Sequence, residues 1–128
     1  MENMIFVLFS ILTISACQNN SNQNQKTSTI SKTISKADFE KKMKEKADHI
    51  LVDVRTLGEY KAGTIRNAKN IDWEDANFET EILKLDKSKP ILIFCQRGGR
   101  SGEALNKMKE LGFKEVYDLE LGFGGWNE

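Results

Sequence analysis

The segment Cys95-Gln96-Arg97-Gly98-Gly99-Arg100-Ser101 brings a thiol, two guanidinium groups and two adjacent glycines together within seven residues. The chemistry this combination suits is nucleophilic attack by a thiolate on a substrate held by its negative charge. Cys95 follows the apolar run Ile91 to Phe94 and precedes the amphipathic stretch Gly102 to Leu111, which places it in a short loop between a strand and a helix. Such a loop can curl until successive backbone N–H groups point at one spot, and the helix N-terminus adds the positive end of its dipole. Gly98 and Gly99 lower the steric cost of the curl, while Arg97 and Arg100 add fixed positive charge at or near its rim. These features lower a thiol pKa and attract an anion, and Gln96 and Ser101 complete the candidate binding loop. An inert core cysteine would need none of them.

The other ionisable residues narrow the mechanism. Cys17 and Cys95 are the only cysteines and His49 the only histidine. With Cys17 far up the chain, the folded part has no internal disulfide, no C-x-x-C couple and no set of zinc ligands, so chemistry at Cys95 uses one sulfur. No metal or cofactor is implied. His49 stands ahead of a strand and reads as a surface residue, which leaves a Cys-His protease mechanism without its base. Asp53 and Arg55 read as supporting residues, because buried charges require partners. Asp53 is expected to accept hydrogen bonds from neighbouring loops and Arg55 to pair with Glu59 or another carboxylate. Trp73 and Trp126 read as packing residues.

The elements that must position Cys95 are legible from periodicity. Ser35, with Asp38 three residues on, marks a helix start; Phe39, Met43 and Ala47 then recur on one face, and the helix should end near Lys46. Ile50 to Val54 and Ile91 to Phe94 read as buried parallel strands, and the stretch around Val116 and Tyr117 as a third. Phe78, Ile82 and Leu85 are spaced as a helix face, as are Ala104, Leu105, Met108 and Leu111, with Gly112 as the stop. Strands alternating with helices at these lengths imply an α/β fold with a central, mostly parallel sheet covered on both faces. Ligand sites in such sheets lie beyond the carboxyl ends of the strands, where Cys95 stands.

The chain has 128 residues, room for one domain once its N-terminal segment is set aside. Lys plus Arg and Asp plus Glu both number 19, so no global basic field exists to hold nucleic acid. Ile5 to Ile14 is an apolar run followed by Ser15, Ala16 and Cys17. It is shorter than the roughly 20 residues needed to span a bilayer and reads as the core of a signal peptide. The ending Ile14-Ser15-Ala16-Cys17 resembles the lipobox of bacterial lipoproteins, which implies lipidation at Cys17 and attachment to the cell envelope on its periplasmic or outer face. Residues 17–33 are mostly Asn, Gln, Ser, Thr and Lys and read as a flexible tether. The expected organisation is therefore a signal peptide over 1–16, a tether over 17–33 and one domain over 34–128.

The loop CQRGGRS resembles the rhodanese active-site pattern C-x-x-G-x-R-S at Cys95, Gly98, Arg100 and Ser101. Upstream, Asp53-Val54-Arg55, Glu59-Tyr60, Gly63, Ile65, Ala68, Asn70 and Ile71 are similar to the family's D-V-R, E-Y, G-H-I and G-A-x-N-I series. Downstream, Gly112-Phe113, Val116-Tyr117, Leu119, Gly122 and Gly125-Trp126 fit its closing segment, so the resemblance runs from about Ile34 to Trp126. Thr64 stands where the family usually has His, and Asn67 where Gly is common. The resemblance implies a rhodanese-like three-layer sandwich. It also implies a sulfurtransferase, in which Cys95 takes a sulfane sulfur from a small anionic donor such as thiosulfate, or from polysulfide, and passes it to a thiol, cyanide or a protein acceptor. A persulfide carrier or binding module at the envelope would share this sequence. A phosphatase or arsenate reductase is a weaker alternative, because four residues separate Cys95 from Arg100, as in sulfurtransferases, where the phosphatase relatives have five.

Overall fold

The computed structural model describes residues 28–127. The apolar run, Cys17 and most of the polar stretch read as a tether lie outside the described residues. The five strands are β1 (Ile30–Ile34), β2 (Ile50–Asp53), β3 (Lys69–Asn70), β4 (Ile91–Phe94) and β5 (Glu115–Leu119). The helices are α1 (Lys36–Glu45), α2 (Leu57–Lys61), α3 (Phe78–Ile82) and α4 (Gly99–Glu110), and a 3₁₀ turn covers Phe123–Gly125. The strands form one sheet in the order β1-β5-β4-β2-β3, and every pairing is parallel.

Side-chain alternation along the strands separates two apolar layers. On one face Val52, Val54, Ile91, Ile93, Cys95 and Val116 pack against Phe78 and Ile82 of α3 and Ala104, Leu105 and Met108 of α4. On the other, Leu51, Leu92, Phe94, Tyr117 and Leu119 pack against Phe39 and Met43 of α1 and Ile65 and Ala68 of the α2–β3 connection. The expected three-layer α/β arrangement is thus observed, with β4 buried along its whole length. Removing one of these large side chains from water contributes about 1.5–3 kcal/mol, and both layers close over β4.

The helix starts follow local capping chemistry. Ser35 caps α1 by accepting the Asp38 N–H at 3.2 Å. Its last turn closes with the Lys46 N–H donating to the Lys42 carbonyl, so Ala47 falls beyond the helix and is exposed instead of extending the Phe39–Met43 face. α2 opens on a reciprocal box between Thr56 and Glu59, whose signal is the Thr-x-x-Glu spacing.

One boundary changes. Residues 30–33 belong to β1, which pairs with β5 from Ile30↔Glu115 to Ile34↔Leu119, so they are part of the sheet and not of a tether. Polar composition concealed the strand because it lies at the sheet edge, where the exposed residues Lys32 and Thr33 are tolerated and the backbone supplies the pairing.

Connections place the site. From β2 the chain moves outward to β3, and from β4 it crosses to β5 on the opposite side, so loops diverge from neighbouring strands and leave a crevice at their carboxyl ends. Cys95 opens on that crevice at the end of β4.

β1 covers the β5 edge with hydrogen bonds each worth about 0.5–1.5 kcal/mol net. A protein starting at Ser35 is expected to lose about 2 kcal/mol or more in urea unfolding relative to one starting at Ser28. Equal midpoints would show that β1 is dispensable.

Candidate active site

β4 ends at Phe94, and alternation turns the Cys95 side chain toward the face carrying Ile91 and Ile93, beneath the start of α4. The residue is buried, with 2% of its surface exposed. Three residues on, Gly98 adopts φ +98° and caps α4, so the chain passes from strand to helix almost at once. The helix begins at Gly99 and not at Gly102. Gly99, Arg100 and Ser101 therefore form its first turn, and the cradle is built partly from helical backbone. A left-handed residue at the cap makes this early start possible, and glycine adopts that conformation without a Cβ penalty.

A second segment locks the curl. A side chain at Gly98 would meet the Glu120 carbonyl at 2.4 Å, and one at Gly122 (φ +60°) would meet the Cys95 carbonyl at 2.4 Å. The Phe123 N–H donates to the Cys95 carbonyl at 2.8 Å and the Gly124 N–H to the Gln96 carbonyl at 3.0 Å. With the carbonyls held by this segment, the loop amides are left for the sulfur.

Cys95 Sγ accepts the Gly98 N–H at 3.1 Å and the Ser101 hydroxyl at 3.3 Å. Burial pushes the thiol pKa up, but the Ser101 hydroxyl and the backbone amides of Ser101, Arg97 and Gly98 act in the opposite direction and leave it below the ordinary thiol value. The site thus holds a sulfur prepared to ionise, among donors that can serve negative charge developing close to it.

The charged residues fall into two pairs. Glu59 binds Arg100, Nη1 to Oε1 at 2.7 Å and Nη2 to Oε2 at 3.0 Å, and Glu74 lies 3.7 Å from the same guanidinium. Hydrogen bonding to Arg100 outweighs partial burial and brings the Glu59 carboxyl down to about 2, while the Arg100 pKa is raised chiefly by the same bond. Of the two partners expected for Arg55, Glu59 or another carboxylate, it takes the second and pairs with Asp53, Nη2 to Oδ2 at 2.7 Å and Nε to Oδ1 at 3.0 Å. Period-two alternation explains this, since residues 53 and 55 share a face. Glu59, capping Thr56 from α2, reaches α4.

Asp53 and Arg55 form a buried strut beside the loop. Arg55 donates to Gln96 Oε1 at 3.1 Å and to the Gly63 carbonyl at 2.6 Å, and its guanidinium stacks on Phe123 at 4.1 Å. Asp53 also accepts the Thr64 hydroxyl at 2.9 Å, as expected of an acid receiving donors from a neighbouring loop. Thr64, standing where the resemblance leads one to expect His, thus completes the strut. Arg97 is exposed at the rim and Gln96 partly buried. His49 precedes β2 at the opposite end of the sheet from Cys95, with Nδ1 2.6 Å from the Lys46 carbonyl oxygen. Trp73 and Trp126 pack edge-on against Phe78 and Phe39. Sequence reasoning missed Glu59 as the Arg100 partner and Gly122 as the lock; the Thr56-x-x-Glu59 box was the available signal for the first.

Comparison with known proteins agrees with this geometry. The family described as rhodanese-like domain matches residues 35–128. A thiosulfate sulfurtransferase GlpE of Coxiella burnetii is 37% identical over 82 residues, covering 64% of this chain and 75% of that protein. A tRNA uridine(34) hydroxylase of Cytophaga hutchinsonii is 35% identical over 99 residues, but these make up only 31% of it and 75% of this chain. Among solved structures, BH2092 of Bacillus halodurans aligns with a TM-score of 0.64 at 30% identity, covering 76% of this chain and 72% of that one. A rhodanese-like domain protein of Staphylococcus aureus aligns with a TM-score of 0.65 at 27% identity, over 74% of this chain and 90% of that one.

The Ser101 hydroxyl stabilises the charged form of the sulfur, so removing it must raise the thiol pKa. A hydrogen bond to a charged group is worth about 1.5–3 kcal/mol, and one pKa unit corresponds to about 1.4 kcal/mol. Ser101→Ala is expected to move the pH profile of Cys95 alkylation upward by about one unit. An unmoved profile would assign the low pKa to the amides alone.

Proposed function

The chain belongs to the rhodanese-like domain family, and on that premise we propose that it is a sulfurtransferase working through a persulfide on Cys95. The observation that carries the reading is the buried sulfur facing the Gly98 amide and the Ser101 hydroxyl, with a lowered pKa. The thiolate attacks the sulfane sulfur of thiosulfate; the new S–S bond forms as the sulfur–sulfur bond of the donor breaks, and sulfite leaves with the electron pair. A cyanide or thiol acceptor then attacks the outer sulfur and returns the thiolate. Each step is a displacement at sulfur, and the loop donors remain close to the charge in both. No cofactor or metal enters this scheme.

In this reading Gln96, Arg97, Gly98, Gly99, Arg100 and Ser101 hold the anion, and Asp53 and Arg55 keep the loop in place. Arg97 provides the exposed positive charge at the entrance. A second reading, a carrier loaded by a persulfide or polysulfide, is favoured by the Glu59–Arg100 pair, which partly neutralises the cationic group best placed to hold a dianion. That pairing argues against a phosphatase, in which the loop arginine must grip the oxyanion.

We also propose that the protein is exported and lipid-anchored through Cys17 at the bacterial cell envelope. The apolar run Ile5 to Ile14 and the lipobox-like ending support this. Single acylation gives only marginal binding, whereas two or more chains anchor stably.

Intact mass of the purified protein tests the chemistry. Thiosulfate is expected to add about 32 Da, one sulfur on the nucleophile, which cyanide removes, and Cys95→Ser should abolish the gain without loss of fold. A gain with polysulfide only would favour the carrier, and a gain retained in Cys95→Ser would sink both readings.

Cys17→Ala is expected to shift the protein from the membrane to the soluble fraction of bacterial cells. Continued membrane association would point to a non-lipid anchor.

A further inference from the structure

Asp118 lies on β5 beside Ile93 of β4 and Thr33 of β1, with 1% of its surface exposed. Alternation along β5 places it with Val116 on the α4 face of the sheet, the face onto which Cys95 also projects. Its Oδ2 accepts the Thr33 hydroxyl at 3.0 Å, and its Oδ1 is buried without a hydrogen-bond partner among the described residues. The first turn of α4 sits on this carboxyl: a Cβ at Gly102 would stand 4.0 Å from Oδ2, and Ser101, the residue before it in that turn, is fully buried. The Ser101 hydroxyl is 3.3 Å from Cys95 Sγ.

A serine hydroxyl has one proton and two lone pairs, so it donates to one neighbour at a time. We propose that Asp118 is a positioning residue for the sulfur chemistry: as the neutral acid it leaves the Ser101 proton to the Cys95 thiolate, and as the carboxylate it draws that proton away. In the neutral state Asp118 donates from Oδ1 to Ser101 Oγ, Ser101 donates to Sγ, and the orphaned oxygen gains a partner. In the ionised state the hydroxyl turns to the carboxylate and presents a lone pair to the sulfur, which then favours the thiol. The exchange is balanced, one proton leaving the sulfur as one joins the carboxyl, and the two groups titrate as a pair.

The groups acting on the acid are few. β1 contributes the Thr33 hydroxyl, with the buried Ser31 hydroxyl on the same strand face. α4 contributes Ser101, whose hydroxyl donates to Cys95, the titratable residue that follows β4. Burial raises the Asp118 pKa above the usual carboxylate value against the lowering effect of Ser101 and Thr33, a direction that favours the neutral acid.

The inference deepens the sulfurtransferase reading and rests on it only for the reaction served. Iodoacetamide alkylation reports the thiolate whether or not sulfur is transferred, so failure of one reading is distinguishable from failure of the other. Alkylation rate against pH is measured for the wild type, Asp118→Asn, Ser101→Ala and the double variant. Asp118→Asn is expected to move the thiolate titration to lower pH by about one unit, roughly tenfold more thiolate below the midpoint, and to have less than half that effect when Ser101 is Ala. No shift overturns the proposal, and so does a full shift without Ser101, which would mean that the charge acts directly through space. If Asp118→Asn does not fold, the ¹³C shift of the Asp118 carboxyl is titrated in the wild type and in Ser101→Ala, before and after alkylation. A midpoint that falls on alkylation only while Ser101 is present supports the relay, and an unmoved midpoint overturns it.

Discussion

The constraint on which the site depends is the reversal from β4 to α4 within a few residues. A buried sulfur needs polar partners, and the backbone supplies them only if it curls around Cys95 before the helix begins. Gly98 in the left-handed region makes that curl, and Gly122 makes room for the segment that holds it. Both glycines are demanded by contacts under 3 Å between a hypothetical Cβ and a neighbouring carbonyl oxygen. The turn is therefore set jointly by residues 95–101 and by a segment more than twenty positions later.

Around this turn the charges have separate tasks. Arg55 is fully enclosed by Asp53, Gln96, the Gly63 carbonyl and the Phe123 ring, so it braces the loop from the face opposite the sulfur. A buried pair of this kind must be well satisfied to offset desolvation, and each oxygen of Asp53 is engaged. Arg100 is tied to Glu59, which anchors α2 to α4 across the mouth of the crevice. Stabilisation of the sulfur anion falls mainly to short-range donors, the backbone amides and one hydroxyl. Such donors are pre-oriented by the fold and need no reorganisation when charge appears.

The hydroxyl of Ser101 joins this layer to the interior. It lies between the reactive sulfur and an acid buried under α4, and β1 reaches the same acid through Thr33. An edge strand with a polar sequence thereby reaches, through one hydrogen bond, the acid beneath the helix turn that carries Ser101. Its value to the fold is backbone pairing along β5, and its value to the site is one hydroxyl.

The sequence by itself determined the α/β class, β2, β4 and β5, most of the buried faces of α1, α3 and α4, and the place of Cys95 at the end of β4 as the candidate nucleophile. Those are local properties: periodicity, capping and the run of glycine and arginine after one cysteine are written in neighbouring residues. β1 was hidden because an edge strand can be polar, and the start of α4 was misplaced because the left-handed Gly98 that sets it is a conformation, not a composition. Only the tertiary structure decided which acid meets which arginine. Glu59 and Arg100 are 41 positions apart, and of the partners open to Arg55, Glu59 or a nearby carboxylate, the fold gives it Asp53. It also decided that Asp118 lies beneath the first turn of α4, which carries Ser101, since β5 reaches the centre of the sheet only through a crossover that brings distant residues side by side. Contacts between segments remote in the chain depend on strand order, which no window of the sequence contains.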